Sequence, residues 1–305
     1  MQYKILNFST LIPGPYILQQ LMPNEVHVTT VEDVRDTDRH DITLPHDDHT
    51  PSFAQIIAKS QHVVPVNYRD QTDIDRLNTL VKESDVVIEN MRPGRMSKLG
   101  FSYEECHTIN PRIVYCSISN FGFDHALSRV AMRDLNILGY SGALTLGKAH
   151  YIPHIPLADI FTSYHLAIKI LSALLRNMSA HLHISAFETV KSSLAPVGSP
   201  LTHAGREFNA DEVAIWGNYP CYTLYETKDG KHMALAAIER SVWSSFCDAL
   251  EISKIGNNQF DTSPNIRAKI AETIRQKTQE EWTHLALDCF TPVLSYLESL
   301  ALDNV

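Results

Sequence analysis

Five short runs of β-branched and aliphatic residues, each followed by a stretch with a different rhythm, constrain the fold of this chain more than any other feature. They are "YKILNFS" (3–9), "VHVTTVE" (26–32), "VVPVNY" (63–68), "DVVIEN" (85–90) and "RIVYCSIS" (112–119). Such continuous apolar runs suit strands buried on both faces. Between two of them, "DIDRLNTLVKES" (73–84) places Ile74, Leu77, Leu80 and Val81 at helical spacing. Strand, helix, strand in repetition predicts an α/β fold with a mostly parallel sheet. The acidic, histidine-rich stretch 33–51 has no periodicity and reads as a surface loop.

The texture changes after residue 194. "APVGSPLTHAGREFNADE" (195–212) has the small and polar residues of a crossing linker. "CYTLYETKDGKHMALAAI" (221–238) reads as a β-hairpin turning at Lys228, Asp229 and Gly230. Helices are expected at 241–250, 265–278 and 279–290, with Ile266, Ile270 and Ile274 on one face. The division is therefore a large α/β domain at 1–194, a linker at 195–218 and a small α+β domain at 219–305.

Composition narrows the function. The chain has 305 residues, 44% of them apolar, enough to fill a sizeable core. A net charge of −9 argues against nucleic-acid binding, and an anionic ligand needs a local cluster of cations. The five cysteines contain no CxxC pair, so buried thiols are expected rather than disulfides or a zinc site. Of the fifteen histidines, His40, His46, His49 and the pair His181 and His183 lack metal-ligand spacing, and no metal is expected. The most apolar stretch, Ile160 to Leu175, carries His165 and Lys169, and no basic region leads an apolar signal. No membrane span and a cytoplasmic location are the resulting expectations.

Two places carry candidate chemistry. In "HYIPHIPLADIFTSYHLAIKILSALLRN" (150–177), Asp159 stands at the start of a long apolar helix. Asp159 followed by Thr162 is the spacing of an ordinary N-cap. The same position favours an ionised carboxylate able to act as a nucleophile. In "NMRPGRMSKLG" (90–100), Asn90 precedes Arg92, Arg95 and Lys98 around a Pro-Gly turn. These are cations of the kind that phosphates require.

The stretch "SDVVIENMRPGRMSKLGFSYEECHTINPRIVYCSISNFG" (84–122) resembles the class III CoA-transferases (the CaiB/BaiF type), which include the α-methylacyl-CoA racemases. "KILNFSTLIPGPYILQQL" (4–21), "RDLNILGYSGAL" (133–144), "HLHISAFETV" (181–190), "YPCYTLYETKDGKHMALAAIE" (219–239) and "TPVLSYLES" (291–299) follow in family order. The resemblance implies a Rossmann-like large domain that binds CoA, a homodimer of interlocked ring-shaped subunits, and acyl-CoA and a small carboxylic acid as ligands. It implies that Asp159 is the catalytic carboxylate and that Asn90, Arg92, Arg95 and Lys98 line the CoA site. Arg35 and Arg39 stand in for a basic run that "IIAKSQHVV" (56–64) reduces to Lys59. Where the racemases carry a histidine base, "MRDLN" has Arg133, which stays protonated and cannot accept a proton. Glu239 matches the glutamate that supports that missing histidine. The chain stops at Val305, where family members continue with a segment returning to the large domain. Three functions follow from the resemblance: a CoA-transferase working through an Asp159 anhydride and thioester, a racemase-like CoA-ester isomerase, or a non-catalytic relative acting as a binding partner.

Overall fold

The five strand-like runs form strands, and a sixth joins them. They are β1 (Tyr3–Asn7), β2 (Val26–Asp33), β3 (His62–Val66), β4 (Val86–Glu89), β5 (Val114–Ser119) and β6 (Ala180–Ser185), ordered β3-β2-β1-β4-β5-β6. Every pairing is parallel. The computed structural model describes residues 2–9, 25–35, 62–146, 152–206, 212–252 and 258–302. Arg39, His40, His46, His49 and Lys59 lie outside these residues. The chain divides into two compact units, the first drawn from residues 1–199 and the second mainly from 200–305.

In the first unit, both faces of the sheet are apolar because both are covered. Leu6, Val31, Val87 and Tyr115 pack beneath α1 (Gln71–Glu83), α2 (Arg95–Leu99) and α3 (Tyr103–Ile109) through Leu77, Val81, Met96 and Cys106. The predicted stripe in 73–84 thus faces the core, and Asp70 caps α1 by accepting the Thr72 N–H at 2.9 Å. On the opposite face, Ile5, Ile88, Val114 and Ile118 pack against Leu166, Ala167 and Ile170 of α5 (Leu157–Leu175). Burial of a Leu or Ile side chain contributes roughly 1.5–3 kcal/mol, so this one face anchors α5 firmly. By length and composition α5 is also the one helix among the described residues that would suit a bilayer. Its inner face is instead packed on the sheet.

Three further helices complete the described part of this unit. They are α4 (Asp134–Ser141), α6 (Ala186–Ser193) and α7 (Ala195–Ala204), the last running across the division of the chain at Pro200. A cluster of Phe121, Ile137, Leu138, Ala158, Ala186 and Val190 binds α4, the start of α5 and α6 together. Two expectations are corrected here. "HLHISAFE" (181–188) reads as a strand throughout in sequence, but it is a strand only to Ser185, whose hydroxyl then caps α6 by accepting the Glu188 N–H at 3.2 Å. The stretch read as a linker is helical over Ala195–Ala204.

The second unit has its own sheet and core. The expected hairpin forms as β7 (Tyr222–Glu226) and β8 (His232–Ala236), with Gly230 at φ 74° in its turn, and β9 (Phe290–Pro292) adds antiparallel to β8. Helices α8 (Arg240–Ala249), α9 (Pro264–Ile274) and α10 (Gln279–His284) enclose Trp243, Phe246, Ile270, Ile274, Trp282 and Phe290, followed by α11 (Tyr296–Ala301). The expected helix 279–290 ends six residues early, at His284.

Candidate active site

A helix that leads into a strand of a parallel sheet runs antiparallel to it, so the first turn of α5 lies toward the carboxyl edge of the sheet. In open α/β sheets that edge receives ligands. Asp159 is the third residue of α5. The N-cap position belongs to Pro156, which makes no side-chain cap bond. The free N–H groups of the first turn are met from another helix: Asp134 Oδ1 accepts Ala158 N–H at 2.6 Å and Asp159 N–H at 3.1 Å. The capping role that spacing offered to Asp159 therefore falls to Asp134. The Asp159 carboxylate accepts no hydrogen bond among the described residues.

Its surroundings make Asp159 a poor acid. Partial burial, reinforced by the Asp134 charge and opposed by Arg133, pushes its pKa up to about 7. Asp134 is also raised by burial, against the two N–H groups it holds. Arg133 is exposed at the N-cap of α4, where its own N–H donates to Asn136 Oδ1 at 3.0 Å. It forms no ion pair with Asp134 or Asp159, and acts on Asp159 through space. Among the described residues, the guanidinium has no ion-pair partner and the neighbouring carboxylate accepts no hydrogen bond.

The cations of 90–100 stand at the end of β4, next to the point where the strand order reverses between β1 and β4. Met96 and Phe101 are buried under the sheet, Phe101 against Phe8 with ring centroids 5.7 Å apart, which fixes the turn. Gly94 holds φ 80°, a conformation that L side chains rarely adopt. Arg92, Arg95 and Lys98 are exposed. Arg35, just beyond β2, pairs with Asp33 at 3.2 Å. Burial would raise Asp33, but Arg35 and the more distant charge of Arg95 outweigh it and hold the carboxyl below its usual value. Arg35 and Arg95 are thus brought toward one another around Asp33. Asn90 is half-buried at the head of the turn. Glu239 belongs to the second unit, where it is exposed at the N-cap of α8 and makes no side-chain cap bond.

Two residues of consequence were not singled out from sequence. Asp134 follows Arg133 in "MRDLN", with no local spacing that marks it. Glu89, a glutamate inside an apolar strand, is almost wholly buried, and burial raises its pKa against hydrogen bonds from Met91 N–H, at 2.8 Å, and Ser117. Ser117 Oγ lies 3.0 Å from His181 Nε2, and burial and His183 push the His181 pKa down to about 4. The row is satisfied when neutral His181 donates to Ser117 and Ser117 donates to Glu89. His181 stacks on Tyr103 at 4.6 Å. Among the described residues, no group of three or more His, Cys, Asp and Glu side chains is placed to hold a metal ion. The five cysteines are free, and Cys289 alone is exposed.

A family model described as CoA-transferase family III matches residues 1–303. The chain belongs to this family. Among curated relatives, the human protein named alpha-methylacyl-CoA racemase is 28% identical over 98% of this chain and 79% of its own length. The human protein named succinyl-CoA:glutarate CoA-transferase is 23% identical, over 92% of this chain and 66% of its own length. The crystal structure of a CaiB/BaiF family protein from Brucella suis superposes with a TM-score of 0.81 at 22% identity, covering 98% of this chain and 85% of that one. This family III chain shares the fold of that structure, with its six-stranded parallel sheet and separate small antiparallel sheet.

Proposed function

We propose that this protein is an acyl-CoA-handling enzyme that moves CoA between carboxylic acids, with Asp159 as nucleophile. One observation carries the reading: a family III chain holds, at the carboxyl edge of its sheet, a carboxylate and a neighbouring guanidinium that are both without a hydrogen-bond or ion-pair partner for their charged groups among the described residues. An Asp159 oxygen attacks the thioester carbonyl, the C–S bond breaks, and CoA leaves as thiolate from a mixed anhydride. The thiolate then attacks the aspartyl carbonyl, releasing the first acid and leaving an aspartyl-CoA thioester. The acceptor carboxylate attacks that thioester and expels the thiolate, which attacks the new acyl carbonyl to give the product and free Asp159. Arg133 docks the acceptor carboxylate, for which the planar guanidinium is suited. Asn90, Arg92, Arg95, Lys98 and Arg35 meet the phosphates of CoA. Glu239 has no step in this sequence.

The likeness to the racemase supports a second reading, in which Asp159 exchanges the α-proton of the acyl group. A carboxylate titrating near neutrality suits proton transfer. Racemisation also needs a second group across the α-carbon, and Arg133 cannot serve as a base. Incubating a panel of acyl-CoA esters with free carboxylic acids in D2O separates the two readings by mass spectrometry. New acyl-CoA esters without α-deuterium are expected. Deuterium incorporation without CoA transfer would establish the isomerase instead.

A further inference from the structure

The carboxylate of Asp134 is unusual in what it holds. It reaches from the first residue of α4 to two N–H groups of a different helix, 24 and 25 residues along the chain. The start of α4 is itself fixed, because Asn136 Oδ1 accepts the Arg133 N–H. The start of α5 is fixed from below by Ala158, which is buried with Ile137 and Leu138. Pro156 at the N-cap position offers neither a donor nor a cap, so without Asp134 the Ala158 and Asp159 N–H groups have no described partner.

We infer that Asp134 is the positioning residue for Asp159: its bonds to the Ala158 and Asp159 N–H groups aim the nucleophile. The carboxylate that makes those bonds also brings its negative charge to the same place. The inference rests on the catalytic reading of Asp159 given above. Two roles are separable by chemistry. Asparagine keeps an acceptor oxygen for the two N–H groups but removes the charge, whereas alanine removes both.

Among the described residues, the charges acting on Asp159 are Asp134 and Arg133, both at the start of α4. Glu188 and Lys191, on the neighbouring α6, are not among them. Removing the Asp134 charge therefore lowers the pH at which Asp159 ionises. In Asp134→Asn the acid limb of the pH–rate profile moves to lower pH, with kcat on the plateau within about threefold of wild type. In Asp134→Ala kcat falls about tenfold or more while KM for the acyl-CoA changes little, the signature of a misaimed nucleophile.

The test combines these profiles with a measurement that needs no turnover, carbon-13 NMR titration of the Asp159 carboxyl, assigned by its loss in Asp159→Asn. The Asp159 midpoint is expected to fall by roughly 1 unit in Asp134→Asn. An unmoved midpoint in folded Asp134→Asn overturns the inference, as does equal behaviour of the Asn and Ala variants. If Asp134→Ala fails to fold, the asparagine titration alone decides. A midpoint that moves in a protein showing no CoA transfer would uphold the electrostatic coupling and count against the catalytic reading, so the two failures are distinguishable.

Discussion

Asp159→Asn is expected to stabilise the protein at pH 8 while abolishing CoA transfer. The folded carboxyl titrates near 7, above its ordinary value of 3.8. Between those values the folded state binds more protons than the unfolded state, so stability falls as pH rises through this window, and the penalty is complete above pH 7. A shift of this size converts to about 4 kcal/mol at most, and partial exposure of the group reduces it to about 1–3 kcal/mol. Asparagine cannot ionise and escapes the penalty. Its advantage is largest at pH 8 and gone near pH 4. Turnover should drop by at least about 10³-fold, the scale for removing a nucleophile. Differential scanning calorimetry across pH 4–8 checks the stability arm. A variant no more stable than wild type at pH 8 would contradict the burial and charge environment described for Asp159.

Glu89→Ala is expected to cost about 2–4 kcal/mol, because it strips the Met91 N–H and Ser117 of an acceptor in a buried place and leaves a cavity. Glu89 joins the end of β4 directly to the turn that carries Arg92 and Arg95. The same change should therefore weaken CoA binding about tenfold, equivalent to 1.4 kcal/mol, comparable with Arg92→Ala. Glu89→Gln retains an acceptor oxygen and should keep most of both properties. Urea denaturation and calorimetric titration with CoA measure the two effects. Full CoA affinity in a destabilised Glu89→Ala protein would show that the turn is held by Met96 and Phe101 alone.

The sheet was legible because its residues obey a local rule. Five buried strands announce themselves as β-branched runs, and the stripe of α1 as a helical period. The start of α6 is equally readable: Ser185 followed by Glu188 is a helix-start signature, placed directly after the strand-like run of β6. Helix α7 contradicts its own composition, with Gly198 and Pro200 inside it, so propensity pointed to a linker. In the candidate site, Asp159, Arg133 and the cations of 90–100 stand out in the sequence, whereas the two hydrogen bonds that Asp134 accepts do not. Its partners are 24 and 25 residues away, and no local spacing encodes that bond. Glu89 carried a usable signal, an acid within an apolar strand.

The most direct measurement of the central claim is intact-mass analysis of the protein incubated with a matched acyl-CoA and quenched with hydroxylamine or borohydride, followed by peptide mapping. The account predicts a trapped adduct on Asp159, absent from Asp159→Asn. A protein that transfers CoA with no adduct at Asp159, or with an unaltered adduct in Asp159→Asn, would contradict it.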